Sequence, residues 1–108
     1  MMRGTVIWVD LSDASPPELG KKRPAVIVSN SMQNQILDSV VAVPLSSREP
    51  EIRPLRIRVT VPGLRSASFA VVPGIRQLKK SRVLGTVARL SERELASLDL
   101  AISEYLSD

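Results

Sequence analysis

The sequence predicts a small, mostly antiparallel β-barrel with a C-terminal helix, and three observations lead there. Short apolar runs rich in Val and Ile recur along the first half, each bounded by Gly, Pro, Ser or Asp. Residues 55–61 alternate strictly, with Leu55, Ile57, Val59 and Val61 apolar and Arg56, Arg58 and Thr60 polar between them. The end of the chain changes period, with Leu95, Leu98, Ile102 and Leu106 at helical spacing.

Taken in order, residues 5–10 (TVIWVD) form the first strand, opened by Gly4. Residues 12–20 (SDASPPELG) are turn chemistry, stiffened by Pro16-Pro17. Residues 24–29 form the second strand, and residues 30–38 are polar with a possible short helical turn. Residues 40–45 (VVAVPL) form a third buried strand, and Pro44 places its end at a sheet edge or bulge. The alternating stretch is the fourth, turned by Pro62-Gly63. Residues 69–72 return as another strand, and residues 77–82 form a loop or helical turn. Residues 83–90 form a last strand interrupted by Gly85. Ser91 with Glu94 three residues on fits a capping box, so residues 92–106 form an amphipathic helix. Trp8 belongs to the core or to a subunit interface rather than to a base-stacking platform.

At 108 residues the chain is expected to be one domain spanning 1–108. Without a signal-like apolar start or a run of membrane-spanning length, it is expected to be soluble and cytoplasmic, with no membrane partner. Cysteine and histidine are both absent. That excludes disulfides, thiol nucleophiles and the usual zinc sites, and removes the side chain that titrates near neutral pH. The net charge of +4 favours an anionic partner. Arg48, Arg53, Arg56, Arg58, Arg65, Arg76, Lys79, Lys80 and Arg82 fall in one stretch whose only acids are Glu49 and Glu51. Such a stretch is either a binding surface or a solvated face.

No nucleotide-binding glycine loop or metal motif is present, so neither a cofactor nor a metal is expected. What remains is "KKRPAVIVSN", where Lys21, Lys22 and Arg23 precede a buried strand, and Ser46-Ser47 just beyond the third strand. Arg23 is either a charged gatekeeper at the end of a sticky strand or a group aimed at a ligand. If the two strands are neighbours, a guanidinium and two hydroxyls meet at one rim. That trio suits RNA, which carries its own nucleophile in the 2′-hydroxyl and needs alignment and charge stabilisation at phosphorus. A guanidinium fork matches two phosphate oxygens, and a serine hydroxyl can hold a third.

"RGTVIWVDL", "ELGKKRPAVIVSN", "VVAVPLSS" and "VVPGIRQLKKSRV" resemble, in order and spacing, the MazF/PemK toxins, the ribonuclease half of toxin–antitoxin pairs. The resemblance runs from Arg3 to about residue 90 and implies an SH3-like barrel, a homodimer, and metal-independent cleavage of single-stranded RNA under control of a cognate antitoxin. It carries the family's catalytic arginine onto Arg23 and its catalytic threonine onto Ser46. It also implies RNA contacts by Glu18, Lys21, Lys22, Ser47, Arg56, Arg58 and Arg76. Pro73-Gly74 departs from the Asp-Gln that many members carry in the groove. Two other readings stay open: a non-enzymatic toxin of the same fold acting on DNA gyrase, and an RNA-binding regulator with weakened catalysis.

Overall fold

The apolar runs near the N-terminus are almost continuous because the strands they form are covered on both faces. The computed structural model describes residues 1–17, 20–64 and 67–108. β1 (Thr5–Asp10), β2 (Lys22–Ile27) and β3 (Ser39–Ser46) lie side by side and antiparallel. Val6, Val26, Val43 and Leu45 bury one face against Leu98 and Ala101 of the C-terminal helix. Ile7, Val9, Ala25, Ile27, Val40 and Ala42 bury the other with Leu78. Each such aliphatic side chain stabilises the fold by about 1.5–3 kcal/mol relative to exposure.

The remaining strands are β4 (Arg56–Val59), β5 (Ser68–Val71), β6 (Arg76–Lys79) and β7 (Val83–Arg89). The sheet runs β4-β5-β3-β2-β1-β7, and β6 pairs with the first half of β3. β4 and β7 are therefore outer strands, and no pairing among the described residues closes the ring of hydrogen bonds that a barrel implies. Closure on that side falls instead to α2 (Glu92–Tyr105), which packs over β4. Among the described residues no helix is long and apolar enough to cross a membrane.

The helix begins as the capping chemistry requires. Ser91 Oγ accepts the Glu94 amide N–H at 3.1 Å. The Glu94 carboxylate, however, accepts the Thr60 amide at 2.6 Å, which ties the helix start to the end of β4. At the opposite edge Arg3 grips α2 through a bidentate pair with Asp99 and donates Nε–H to the Val28 carbonyl at 2.9 Å. Gly4, at φ +90°, passes so close to the helix that a Cβ there would stand 3.0 Å from a Leu95 methyl.

Several expectations need correction. Pro44 is not at an edge: it sits inside central β3, opposite Ala25, where the strand changes partner from β6 to β5. That switch leaves a position where a missing N–H is harmless. Residues 76–79 are a strand, with only Lys80–Arg82 forming a 3-10 turn. β7 is continuous, and Gly85 marks a shift of its register against β1 rather than a break. The short helical turn expected within residues 30–38 is present as α1 (Ser31–Ile36), capped by the Asn30 side chain. Leu55 lies outside β4 and is exposed, as is Leu106, which caps α2 instead of packing under it. Trp8 is not core: it is 43% exposed on the outer surface, between Pro24 and Gly85 on the neighbouring strands.

Candidate active site

The β2–β3 register builds the site. Ala25 lies opposite Pro44, so two residues back along β2 and two forward along β3 bring Arg23 level with Ser46. Lys21, in the left-handed region at φ +60°, turns the chain out of the β1–β2 loop and into β2. This strain for a non-glycine residue lies directly beside the candidate chemistry. Arg23 is then fixed at two points: Nε donates to the Gly20 carbonyl at 3.1 Å, and Nη1 donates to the Leu45 carbonyl at 3.2 Å. The two anchors hold the guanidinium from two sides and leave Nη2 free of them. Partial burial disfavours the charged form and pulls the Arg23 pKa below the usual arginine value. An anion beside it would restore what the lost water supplied.

Arg23, Ser46 and Ser47 line one cleft of about 220 Å³, and Lys21 and Lys22 flank it. Ser46 Oγ accepts the Arg48 amide N–H at 3.1 Å, which orients the hydroxyl and leaves its proton available to a ligand oxygen. Across the end of β3, Ser46 also borders a second cleft, of about 360 Å³, which takes in Arg48, Arg56 and Arg76. Most of the sequence-derived site residues thus gather around Ser46. Two do not. Arg58 lines neither cleft, although it shares a face of β4 with Arg56, and its amide N–H donates to the Glu51 carboxylate at 2.8 Å. Glu18 lies outside the described residues.

Sequence reading missed two participants. Arg48 follows Ser46 by two residues and was legible only as one more cation in a basic stretch. Asp13 pairs with Arg76 at 3.3 Å and Arg82 at 3.1 Å, pinning the β1–β2 loop to β6 and the 3-10 turn. The Arg76 hydrogen bond, more than any other influence, holds the Asp13 carboxyl below the ordinary carboxylate range. No local motif announces a contact between residues so far apart in the chain. A larger basic depression, about 830 Å³, lies along β6 with Lys79, Lys80 and Arg82, but neither Arg23 nor Ser46 reaches it. Among the described residues no cluster of three or more His, Cys, Asp or Glu could hold a metal ion.

Residues 2–106 match the family described as PemK-like, MazF-like toxins of type II toxin–antitoxin systems. The chain belongs to that family. It is 34% identical to the endoribonuclease MazF9 of Mycobacterium tuberculosis, over 98% of this chain and 97% of that protein. The fold is similar to that of a MazF from Deinococcus radiodurans, with a TM-score of 0.84, 21% identity and coverage of 98% and 96% of the two chains. It is also similar to a mycobacterial endoribonuclease solved with its cognate antitoxin, with a TM-score of 0.81, 23% identity and coverage of 98% and 94%. Membership of a toxin–antitoxin family leaves the roles of Arg23 and Ser46 to be argued from their geometry.

Proposed function

We propose that this toxin-family chain is an endoribonuclease that cleaves single-stranded RNA by attack of the 2′-hydroxyl on the adjacent phosphodiester. The observation that carries this reading is the Arg23 guanidinium, bonded to the carbonyl of the residue before Ser46 and sharing a cleft with it. Arg23 clamps the scissile phosphate through its unanchored N–H groups and stabilises charge as the phosphorane forms. Ser46 donates its hydroxyl proton to another phosphate oxygen. Lys21, Lys22 and Ser47 hold the neighbouring backbone.

The reaction needs no co-reactant. The O2′–P bond forms as the P–O5′ bond breaks, and the proton leaving the 2′-hydroxyl is balanced by one reaching the 5′-oxygen. The products are a 2′,3′-cyclic phosphate and a 5′-hydroxyl. With no histidine or cysteine in the chain, and Arg a poor proton shuttle at its high pKa, alignment and electrostatics carry the rate, and turnover is modest. We extend the reading to a homodimer with a shared RNA groove. A cognate antitoxin would compete for that groove through an acidic segment attracted by the net positive charge.

The test is to incubate purified protein with RNA in EDTA and map the termini of the products. Cyclic phosphate and 5′-hydroxyl ends support the reading. Intact RNA would favour a binding-only role, and 5′-phosphate ends would point to a water nucleophile and a different mechanism.

A further inference from the structure

The carboxylate of Asp13 divides its two oxygens between two guanidiniums. Oδ2 meets Arg76 Nη2 at 3.3 Å, and Oδ1 meets Arg82 Nη1 at 3.1 Å. Arg76 and Arg82 are therefore held at a spacing that one small anion with two oxygens can bridge. Asp13 fills that position loosely. Both distances exceed the roughly 2.7–2.9 Å of a good charge-assisted bond, and Arg82 Nη1 also leans on the Asp10 carbonyl at 3.3 Å. The three side chains keep 28%, 34% and 42% of their surface exposed. Pairs that water and salt reach this easily are weak and exchangeable.

The position of the pair matters as much as its weakness. Arg76 lines the cleft of about 360 Å³ that Ser46 borders, and also the depression of about 830 Å³ along β6. Arg82 lines the larger one with Lys79 and Lys80. A chain of phosphates leading from Ser46 toward β6 thus meets Arg76 first and the other cations beyond it. A phosphodiester offers two non-bridging oxygens and a full negative charge, the same features that Asp13 presents, and guanidiniums bind it well. Two anions at one position repel, so only one of them can hold the pair. Resting on the reading of the chain as an RNA-cleaving enzyme, we propose that Arg76 and Arg82 form a backbone-phosphate site which Asp13 occupies as a stand-in until RNA displaces it. Displacement also frees the segment that Asp13 pins. That segment carries its own reporter, the Ala14 amide, which donates to the Leu11 carbonyl at 3.0 Å. A carboxylate acting only as a staple would stay in place when RNA binds.

The experiment uses the whole protein and an oligoribonucleotide made uncleavable by a 2′-deoxy nucleotide at the scissile position. Hydrogen exchange at the Ala14 amide is followed by NMR at fixed pH, with and without saturating RNA. Bound RNA should speed exchange there by about fivefold or more, the reverse of the protection that simple coverage gives. In Asp13→Asn the amide should exchange fast in both states. Fluorescence anisotropy should show that Asp13→Asn binds the RNA about 3- to 10-fold more tightly, the scale of two weak exposed pairs. In an Arg82→Gln background the same substitution should change affinity by less than about twofold, because the gain comes through the freed guanidinium.

Unchanged or increased protection of Ala14 in the RNA-bound wild type, a measurement that needs no variant, would overturn the proposal. An equal gain from Asp13→Asn with and without Arg82 would also overturn it, since the lost negative charge would then act at a distance. Cleavage of an all-ribose substrate by a protein whose Ala14 amide stays protected defeats this inference alone. Release of Ala14 by bound RNA that is never cut supports the phosphate site and defeats the ribonuclease reading. Failure to bind any RNA defeats both.

Discussion

Replacing Arg23 with alanine should lower the rate of RNA cleavage by about two to four orders of magnitude while leaving the fold intact. The magnitude follows from how the guanidinium is used. Nε–H and one Nη1–H are committed to the Gly20 and Leu45 carbonyls, which leaves the second Nη1–H and the Nη2 protons for substrate. Two charge-assisted bonds to phosphate oxygens, at about 1.5–3 kcal/mol each, amount to about 3–6 kcal/mol. At about 1.4 kcal/mol per decade, that is about 10²–10⁴ in rate. The two carbonyls lie at a part-exposed rim where water can replace the arginine, so the cost to folding should stay near 1–2 kcal/mol. Initial rates on a fluorogenic oligoribonucleotide and a thermal melt of the same sample measure the two effects separately. Arg23→Lys keeps the charge without the fork and should fall between wild type and alanine. A folded Arg23→Ala protein that cuts RNA within about threefold of wild type would refute the assignment.

Ser46→Ala removes a neutral donor and should slow cleavage by only about 2- to 13-fold, corresponding to about 0.5–1.5 kcal/mol; a loss larger than that of Arg23→Ala would reverse the ranking. Gly4→Ala places a Cβ at φ +90° and against Leu95, so urea unfolding should report a loss of about 1–2 kcal/mol, and an unchanged midpoint would contradict the close approach. Asp13 is held below its ordinary 3.8 by the Arg76 hydrogen bond. A depressed folded-state pKa means its anchoring is complete above the unfolded value and is lost as pH falls through the folded one. Protection of the residue 11–14 amides should therefore be flat from neutral pH to about 4 and decline below it, while Asp13→Asn exposes the loop already at neutral pH. Affinity for uncleavable RNA should fall with salt at a log–log slope of about −2 if roughly three phosphates are neutralised; a salt-independent affinity would remove the electrostatic groove. Light scattering at micromolar concentration should give a dimer mass, and a monomer would contradict the shared groove.

The elements whose physics is local were legible in the sequence. The Ser91 cap, the helical spacing of Leu98, and the alternation of Ile57, Val59 and Val61 each appear where the pattern put them. What escaped depends on partners distant in the chain. Residues 76–79 carry no strand pattern of their own and become a strand because the first half of β3 presents an open edge to them. Pro44 reads as an edge residue until the change of partner along β3 is known. Trp8 reads as core or as a subunit interface, yet within the subunit it is exposed between Pro24 and Gly85 of the neighbouring strands. In the site, Arg23 and Ser46 were legible as a pair because one assumption, that β2 and β3 are neighbours, places them together. The second cleft depends instead on Gly74 lying against Pro44 and on Arg56 being buried at its Nε, and neither contact leaves a mark at the level of spacing.

The most direct measurement concerns the nucleophile. A cleavable oligoribonucleotide is compared with one identical except for a 2′-deoxy sugar on the 5′ side of the scissile bond, under conditions where both are bound equally. Attack by the 2′-hydroxyl requires that the deoxy substrate stay intact while the ribose substrate yields a cyclic phosphate. Cleavage of the deoxy substrate at a comparable rate would mean that water is the nucleophile, and the roles given to Arg23 and Ser46 would have to be abandoned.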